Sequence, residues 1–333
     1  MPFSGRRLLV LGWHNIEGTP CFPSARGEGL GGFRDQLDWL GRRTNVVPLR
    51  DALRRLRSGA ALPPRATAIT FDDGYRDNLE LAVPELERRG MPATFFLVPG
   101  LLDRRVEPWW EQAAWAVTDA IEHEATIDGR RLVLADPGGR RAVLKEVAEL
   151  LKRRDRAARE GALQELIAQL APRPRGDLSE LFLDWEGARA LASRGFEIGS
   201  HSRDHAILSE ETARAQAEDL ATSRSALESG LGVPVTAVAY PNGTRHDYDA
   251  ATLAAARAAG FETGVTTRKG INSERTPHLE ARRVVVYPER GSRIVRTLAQ
   301  VAWTRGRRAA ARLQPLPLTD GPGGPRRYDG PHR

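Results

Sequence analysis

Apolar residues in this chain fall into two alternating patterns. Compact runs rich in β-branched and small apolar residues recur at 8–13, 66–71, 93–98, 196–199, 235–240, 261–266 and 283–287. Runs of this kind predict strands. Between them, 33–43, 49–58, 78–89, 185–194, 210–229 and 247–259 carry apolar residues at helical spacing. Several of these stretches run into a glycine (Gly90, Gly195, Gly230, Gly260), where a helix C-terminus takes up positive φ. Strand alternating with helix predicts an α/β fold with a mainly parallel sheet. About seven such strands either stay open or close into a barrel, and the pattern alone allows both.

The stretch 109–183 breaks this rhythm. It holds helical patterns at 110–122, 141–153 and 156–169, and an Asp128-Gly129 pair that predicts a hairpin turn. We read about 105–183 as a mainly helical insertion between two strand units, serving as a lid, a partner surface or extra packing. Trp109, Trp110 and Trp115 are expected to fill its core in preference to stacking on a sugar.

Composition narrows the class. With 41% hydrophobic and 28% charged residues the chain cannot be disordered throughout. Its 333 residues allow one large domain or two small ones, at roughly 150 residues each. No apolar run approaches the ~20 residues of a membrane-spanning helix. Cys21 is the single cysteine, so neither an internal disulfide nor a multi-cysteine zinc site can form. The apolar run after Arg6-Arg7 is interrupted by Gly12 and His14, and no small-x-small site follows. It reads as a first strand, and the expected location is cytoplasmic.

The positive charge sits at one end. Residues 290–333 hold ten Arg, no Lys and two acids, +8 against +7 for the whole chain, which leaves −1 for the rest. We expect a catalytic domain over 1–290, a basic amphipathic helix over 291–314 and a disordered Pro/Gly-rich tail over 315–333. Ile294, Leu298, Val301 and Ala302 share one side of that helix, opposite Arg293 and Arg296. The plainest expectation is a helix packed on the domain with its arginines in water. An anionic membrane surface, such as the inner leaflet, is the next partner it suits. Nucleic acid is the weakest, since no aromatic stacking platform accompanies the charge.

Three strand ends carry candidate chemistry. Thr70-Phe-Asp-Asp-Gly-Tyr75 places Asp72 and Asp73 side by side at the C-terminal end of a strand. In parallel α/β architectures active sites are built at that end, and adjacent carboxylates there call for a cation. Read alone, Asp-Asp-Gly is equally a turn before the next helix. Gly199-Ser-His-Ser-Arg-Asp-His205 offers His201 and His205 at a spacing that lets both meet one metal ion. Two His and one Asp leave coordination positions open, which suits catalysis. Ala239-Tyr-Pro-Asn-Gly243 follows a third strand, and its turn can expose backbone N–H groups to an oxyanion.

Together these segments resemble the NodB-homology polysaccharide deacetylases, carbohydrate esterase family 4. The likeness spans roughly 8–287, interrupted by the insertion. Thr70–Tyr75, Pro92-Ala-Thr-Phe-Phe96 and Glu197-Ile-Gly-Ser-His-Ser202 through His205 match family motifs in the family's order. The resemblance implies a distorted (β/α) barrel of about seven strands, one divalent metal ion (zinc, cobalt or nickel) and removal of N-acetyl groups from amino sugars. It implies Asp72 as general base, Asp73, His201 and His205 as metal ligands, and the Tyr240-Pro241-Asn242 turn as the substrate and oxyanion side. Ala239 stands where many members carry the arginine that orients the base, and Arg283 is the expected substitute. The usual late Leu-x-His is missing. Leu9-Val-Leu-Gly-Trp-His14 resembles instead the first strand of deacetylases of exported poly-N-acetylglucosamine, making His14 the expected acid for the leaving amine.

An unexported enzyme would meet an N-acetylated glycan precursor, for example a lipid-linked sugar. Two alternatives stay open: a hydrolase of another C–N bond in a small cyclic amide, and a sugar-binding protein on a scaffold that has lost catalysis.

Overall fold

A computed structural model describes residues 5–22, 29–134 and 136–288. The strands are β1 (Leu8–Trp13), β2 (Asn45–Val46), β3 (Ala66–Phe71), β4 (Ala93–Leu97), β5 (Glu124–Ile127), β6 (Arg130–Val133), β7 (Glu197–Ser200), β8 (Ala237–Ala239), β9 (Thr263–Val265) and β10 (Val284–Val285). Eight of them form one sheet in the order β10-β1-β3-β4-β7-β8-β9, with β2 added beside β3. Its pairings are all parallel.

The sheet curls back on itself through the segment 278–286. Ala281 bridges Val265 in parallel, and its N–H donates to Gly264 O at 2.8 Å. A few residues on, Val284 and Val285 pair with Leu11 and Gly12. One segment thus touches both edges, and the α/β fold is a distorted (β/α) barrel.

Alternation explains the two faces. Leu8 and Val10 pack with Ala66, Ala68, Phe96, Ala237, Ala239, Val265 and Ala281 in one buried cluster. Leu9, Leu11, Trp13, Ile69 and Phe71 pack with Phe33, Leu37, Leu40 and Leu86 of the surrounding helices in another. Both faces of β1, β3 and β4 are buried, which is why these strands read as near-continuous apolar runs broken only by threonine. The residues facing the first cluster are mostly small, leaving room for a larger side chain further along the barrel.

Residues between β4 and β7 build a third cluster. Trp109, Trp110, Ile127, Leu132, Val147, Leu163 and Leu166 join Tyr75, Val98 and Ile207 of the barrel. Helices 137–152 and 156–170 start at Asp136 and Asp155, whose carboxylates accept the N–H of Gly139 and Ala158. The β5–β6 hairpin turns at Asp128 and Gly129, both at positive φ (52° and 72°), as a two-residue hairpin turn demands.

The expected helix over 78–89 is divided. Residues 78–82 form a π-turn, with Val83 N–H donating to Asn78 O, and the α-helix runs over Val83–Arg88. Pro84 has no N–H to give the carbonyl of Glu80, so the ordinary ladder cannot pass it. The amphipathic helix expected over 291–314 and the tail over 315–333 lie outside the described residues. Among the described residues no helix is long and apolar enough to cross a membrane.

Candidate metal centre

The ladder aligns Trp13 with Phe71, Phe71 with Phe95, and Leu97 with Ser200. The chain therefore leaves β1, β3 and β7 at one end of the barrel, with His14, Asp72-Asp73 and His201 as the next residues. Asp73 has φ 70° and Gly74 has φ 77°, and this sharp turn sends the two neighbouring carboxylates apart.

Asp73 turns to the histidines. Its Oδ1 lies 3.3 Å from His201 Nε2 and 3.4 Å from His205 Nε2. One ligand atom from each of the three residues falls within 4.8 Å of the other two. All three side chains are buried, and Asp73 Oδ1 receives no aligned hydrogen bond from any described residue. His201 Nδ1 sits 2.7 Å from Ala239 O, so this nitrogen carries the proton and Nε2 offers its lone pair. A buried carboxylate oxygen facing two imidazole Nε2 atoms fits a divalent metal ion of the zinc type.

Asp72 turns to Arg283. Both its oxygens accept from the guanidinium, Oδ1 from Nη1 and Oδ2 from Nη2, each at 2.6 Å. Arg283 Nη1 also donates to Thr70 Oγ1 at 3.2 Å. The arginine is fully buried, 5.8 Å over the Phe96 ring. It fits because β1 has Gly12 at that level: a Cβ there would stand 2.9 Å from Arg283 Cδ. Asp72 Oδ2 lies 4.0 Å from His201 Nε2, so the paired carboxylate borders the metal cluster.

The electrostatics follow from burial and pairing. Burial pushes the Asp72 carboxyl up, but Arg283, with His201 and His14, holds it below the usual carboxylate range. Asp73 is likewise pushed up by burial, yet the two histidines hold it well below that range. For His201 burial favours the neutral ring, while Asp72 and Asp73 prevail and hold it above its ordinary value. His205 is held below its ordinary value, chiefly by burial, with His201 and Arg159 adding to the effect.

His14 is half-buried, stacked on Phe22 at 5.0 Å, and its carbonyl accepts from Asn78 Nδ2 at 2.7 Å. Its Nδ1 is buried and has no hydrogen-bond partner among the described residues. The Tyr240 hydroxyl donates to Leu279 O at 2.9 Å, and its ring stacks on Tyr248 at 4.9 Å. Pro241 follows, and Asn242 takes φ 56°. The structure thus gathers Asp73, His201 and His205, sets Asp72 on Arg283, and commits the Tyr240 hydroxyl to Leu279. The turn after β8 is tied to the cluster through Ala239 and His201.

The sequence profile of the polysaccharide deacetylases matches residues 59–264, more than half of the chain. The chain belongs to the polysaccharide deacetylase family. Among relatives of this chain, YxkH of Bacillus subtilis (strain 168), named for the same family, is 24% identical over 285 residues, covering 85% of this chain and 72% of its own. The poly-β-1,6-N-acetyl-D-glucosamine N-deacetylase of Escherichia coli (strain K12) is 29% identical over 109 residues, 31% of this chain and only 15% of that protein. The Streptococcus pyogenes deacetylase PplD, solved with acetate, superposes with a TM-score of 0.59 at 16% identity, covering 89% of this chain and 99% of that one. IcaB from Ammonifex degensii superposes with a TM-score of 0.56 at 21% identity, covering 91% and 99%. At such identities these structures speak to the fold alone.

Several residues around the Asp73-His201-His205 cluster have no motif to announce them. Asp77 Oδ2 accepts the N–H of Ile16 at 2.7 Å and of Glu17 at 2.8 Å, pinning the loop that follows His14. Tyr75 OH donates to Glu111 at 2.7 Å and accepts from Trp110 Nε1 at 2.8 Å. Glu111 also accepts the Cys21 N–H at 2.9 Å. One signal was available: Glu111 is the single acid in the otherwise apolar and neutral helix 109–118, and it is fully buried.

Proposed function

We propose that this chain is a divalent-metal-dependent hydrolase that removes N-acetyl groups from an amino-sugar-containing glycan or glycan precursor. The observation that carries the reading is the buried Asp73-His201-His205 cluster beside an Asp72 held ionised by Arg283. The E. coli relative acts on poly-N-acetylglucosamine by name, which supports an N-acetylated substrate.

Asp73, His201 and His205 would hold the ion, which supplies Lewis acidity toward the acyl oxygen and toward water. Asp72 takes the proton from the attacking water, because Arg283 keeps it charged and fixes both its oxygens. His14 delivers a proton to the departing amine, restoring the neutral product. The backbone N–H of Asn242 stabilises the oxyanion, since those of Tyr240 and Gly243 are bonded to Val265 O and Pro241 O and Pro241 has none.

The test is acetate release from N-acetylglucosamine oligomers with added Zn²⁺, Co²⁺ or Ni²⁺, for wild type, Asp72→Asn and His201→Ala. Metal-dependent release lost in both variants upholds the reading. No release despite bound metal moves the substrate to another acyl compound, and no metal uptake moves the chain to a binding role.

The charge after Arg290 supports a substrate presented at an anionic surface, such as a lipid-linked sugar. Deleting 290–333 should then abolish sedimentation with anionic liposomes and spare activity on soluble oligomers. Unchanged sedimentation would refute it.

A further inference from the structure

The two histidines of the cluster are not held alike. His201 has the carbonyl of Ala239 behind its Nδ1. His205 Nδ1 is buried and has no hydrogen-bond partner among the described residues. Its backbone is also unusual, with φ 53° at His205 and φ 64° at Ser202, a conformation that costs energy in a non-glycine residue. Metal-binding histidines normally owe their ring orientation to a partner behind the second nitrogen. Something else must orient His205.

Two contacts from residues between β4 and β7 are placed to do so. The Trp110 ring lies 4.1 Å from the His205 ring, tilted by 41°. Trp110 is itself fixed by its Nε1 bond to Tyr75 OH, which leads to Glu111, and by edge contacts to Trp109 and Phe182 at 6.0 and 5.9 Å. The second contact is on Asp204, immediately before His205. Its carboxylate is 1% exposed and is shared by Arg156 Nη1, by Arg105 Nη2 at 2.7 Å and by Arg203 Nε at 3.0 Å. Arg156 opens helix 156–170 and Arg105 follows the turn after β4. Gly100 keeps the slot open, since a side chain there would run into Asp204 Oδ1.

We propose that the region between β4 and β7 is a working part of the metal centre, with Trp110 and Arg156 as positioning residues that hold His205 toward the ion. Trp110 blocks rotation of the ring, and the Arg156–Asp204 pair holds the loop in its left-handed conformation. This rests on the metal-site reading above and assigns the insertion a role in metal retention beyond covering the site.

The test measures Zn²⁺ affinity by competition with a chromophoric chelator, together with amide hydrogen exchange over 201–206 in metal-free protein. The variants are Trp110→Leu, Trp110→Phe, Arg156→Met and, as a control in the β5–β6 hairpin, Arg131→Met. Trp110→Leu and Arg156→Met should each weaken Zn²⁺ binding about tenfold, Trp110→Phe less, and Arg131→Met not at all. Arg156→Met should also speed exchange at 201–206 by about threefold or more. Arg156 is half-exposed, so its variant tests the idea even if Trp110→Leu fails to fold. Affinities of Trp110→Phe and Arg156→Met within about twofold of wild type, with unchanged exchange, would overturn the proposal. A wild-type chain that takes up no divalent ion refutes the functional reading, while the exchange measurement still decides whether Arg156 holds the loop.

Discussion

Arg283 and Asp72, 211 positions apart in the chain, meet in a fully buried two-pronged pair with both bonds at 2.6 Å. The pair has a measurable consequence for pH. Asp72 is held low against its own burial, so removing the guanidinium leaves burial as the dominant influence. In Arg283→Met the carboxyl should rise above its ordinary value, and the acid limb of the kcat/KM profile should move to higher pH. Activity at neutral pH should fall by about 10²-fold or more, the scale of a lost general base. Stripping one partner from a buried pair should also cost about 3–5 kcal/mol of stability. The depressed Asp72 contributes stability above its ordinary value of 3.8, and wild type loses that contribution as pH falls through the lower folded value. Chemical denaturation across that range checks the sign. Arg283→Lys keeps the charge without the fork and should fall between wild type and Arg283→Met.

Gly12 offers a subtler way to disturb the same pair. A methyl group at that position stands 2.9 Å from Arg283 Cδ, so Gly12→Ala must displace the arginine. The barrel should survive, since an alanine fits a strand. Activity should drop by about tenfold to a hundredfold, as expected when a catalytic group moves by a fraction of an ångström to one ångström. Circular dichroism with steady-state kinetics separates this outcome from unfolding.

Asp77 governs the His14 loop. Asp77→Ala leaves the Ile16 and Glu17 N–H groups without their acceptor, a loss of about 1–3 kcal/mol, and should lower activity by releasing the loop. Asp77→Asn keeps an acceptor oxygen and should retain most activity. Burial pushes the Asp77 carboxyl up to about 6 from 3.8. Its contribution to stability is therefore full below 3.8 and is lost as pH rises through about 6. Asp77→Asn should remove that slope from a plot of unfolding free energy against pH.

Metal uptake should weaken in acid. His201 is held above its ordinary value, against burial, by Asp72 and Asp73, so it is the first of the two rings to be protonated on the ligand nitrogen. Protons then compete directly with the ion. Zn²⁺ affinity at about pH 5.5 should be at least about tenfold lower than at about pH 7.5. Equal affinities would mean that the histidines are not ligands.

The parts of the fold that were legible in the sequence are those where both faces of a strand are buried. The runs at 8–13 and 66–71 coincide with β1 and β3 to the residue, since no charged residue interrupts them. The expected strand at 283–287 shrinks to Val284–Val285, because Arg283 N–H bonds Arg268 O while its side chain enters the barrel. The pattern does not predict Asn45–Val46 as a strand; two residues carry no period of their own, and they pair only because the first half of β3 has a free edge. At the site, strand-end motifs pointed to Asp72, Asp73, His201 and His205. Trp110, Glu111 and Asp77 stayed hidden because their contacts depend on how the insertion and the first loop fold back, which no local pattern encodes.

The place of β10 beside β1 sets when the site can exist during synthesis. A ribosome has made β1, β3 and β7 long before residue 283 leaves the exit tunnel. Until then Asp72 has no guanidinium to pair with, and the seam that curls the sheet is open. A nascent chain that already holds Asp73, His201 and His205 still lacks the Asp72–Arg283 pair, which one of the last described residues completes. Chains released before that point would carry all three cluster residues but leave Asp72 without its guanidinium partner.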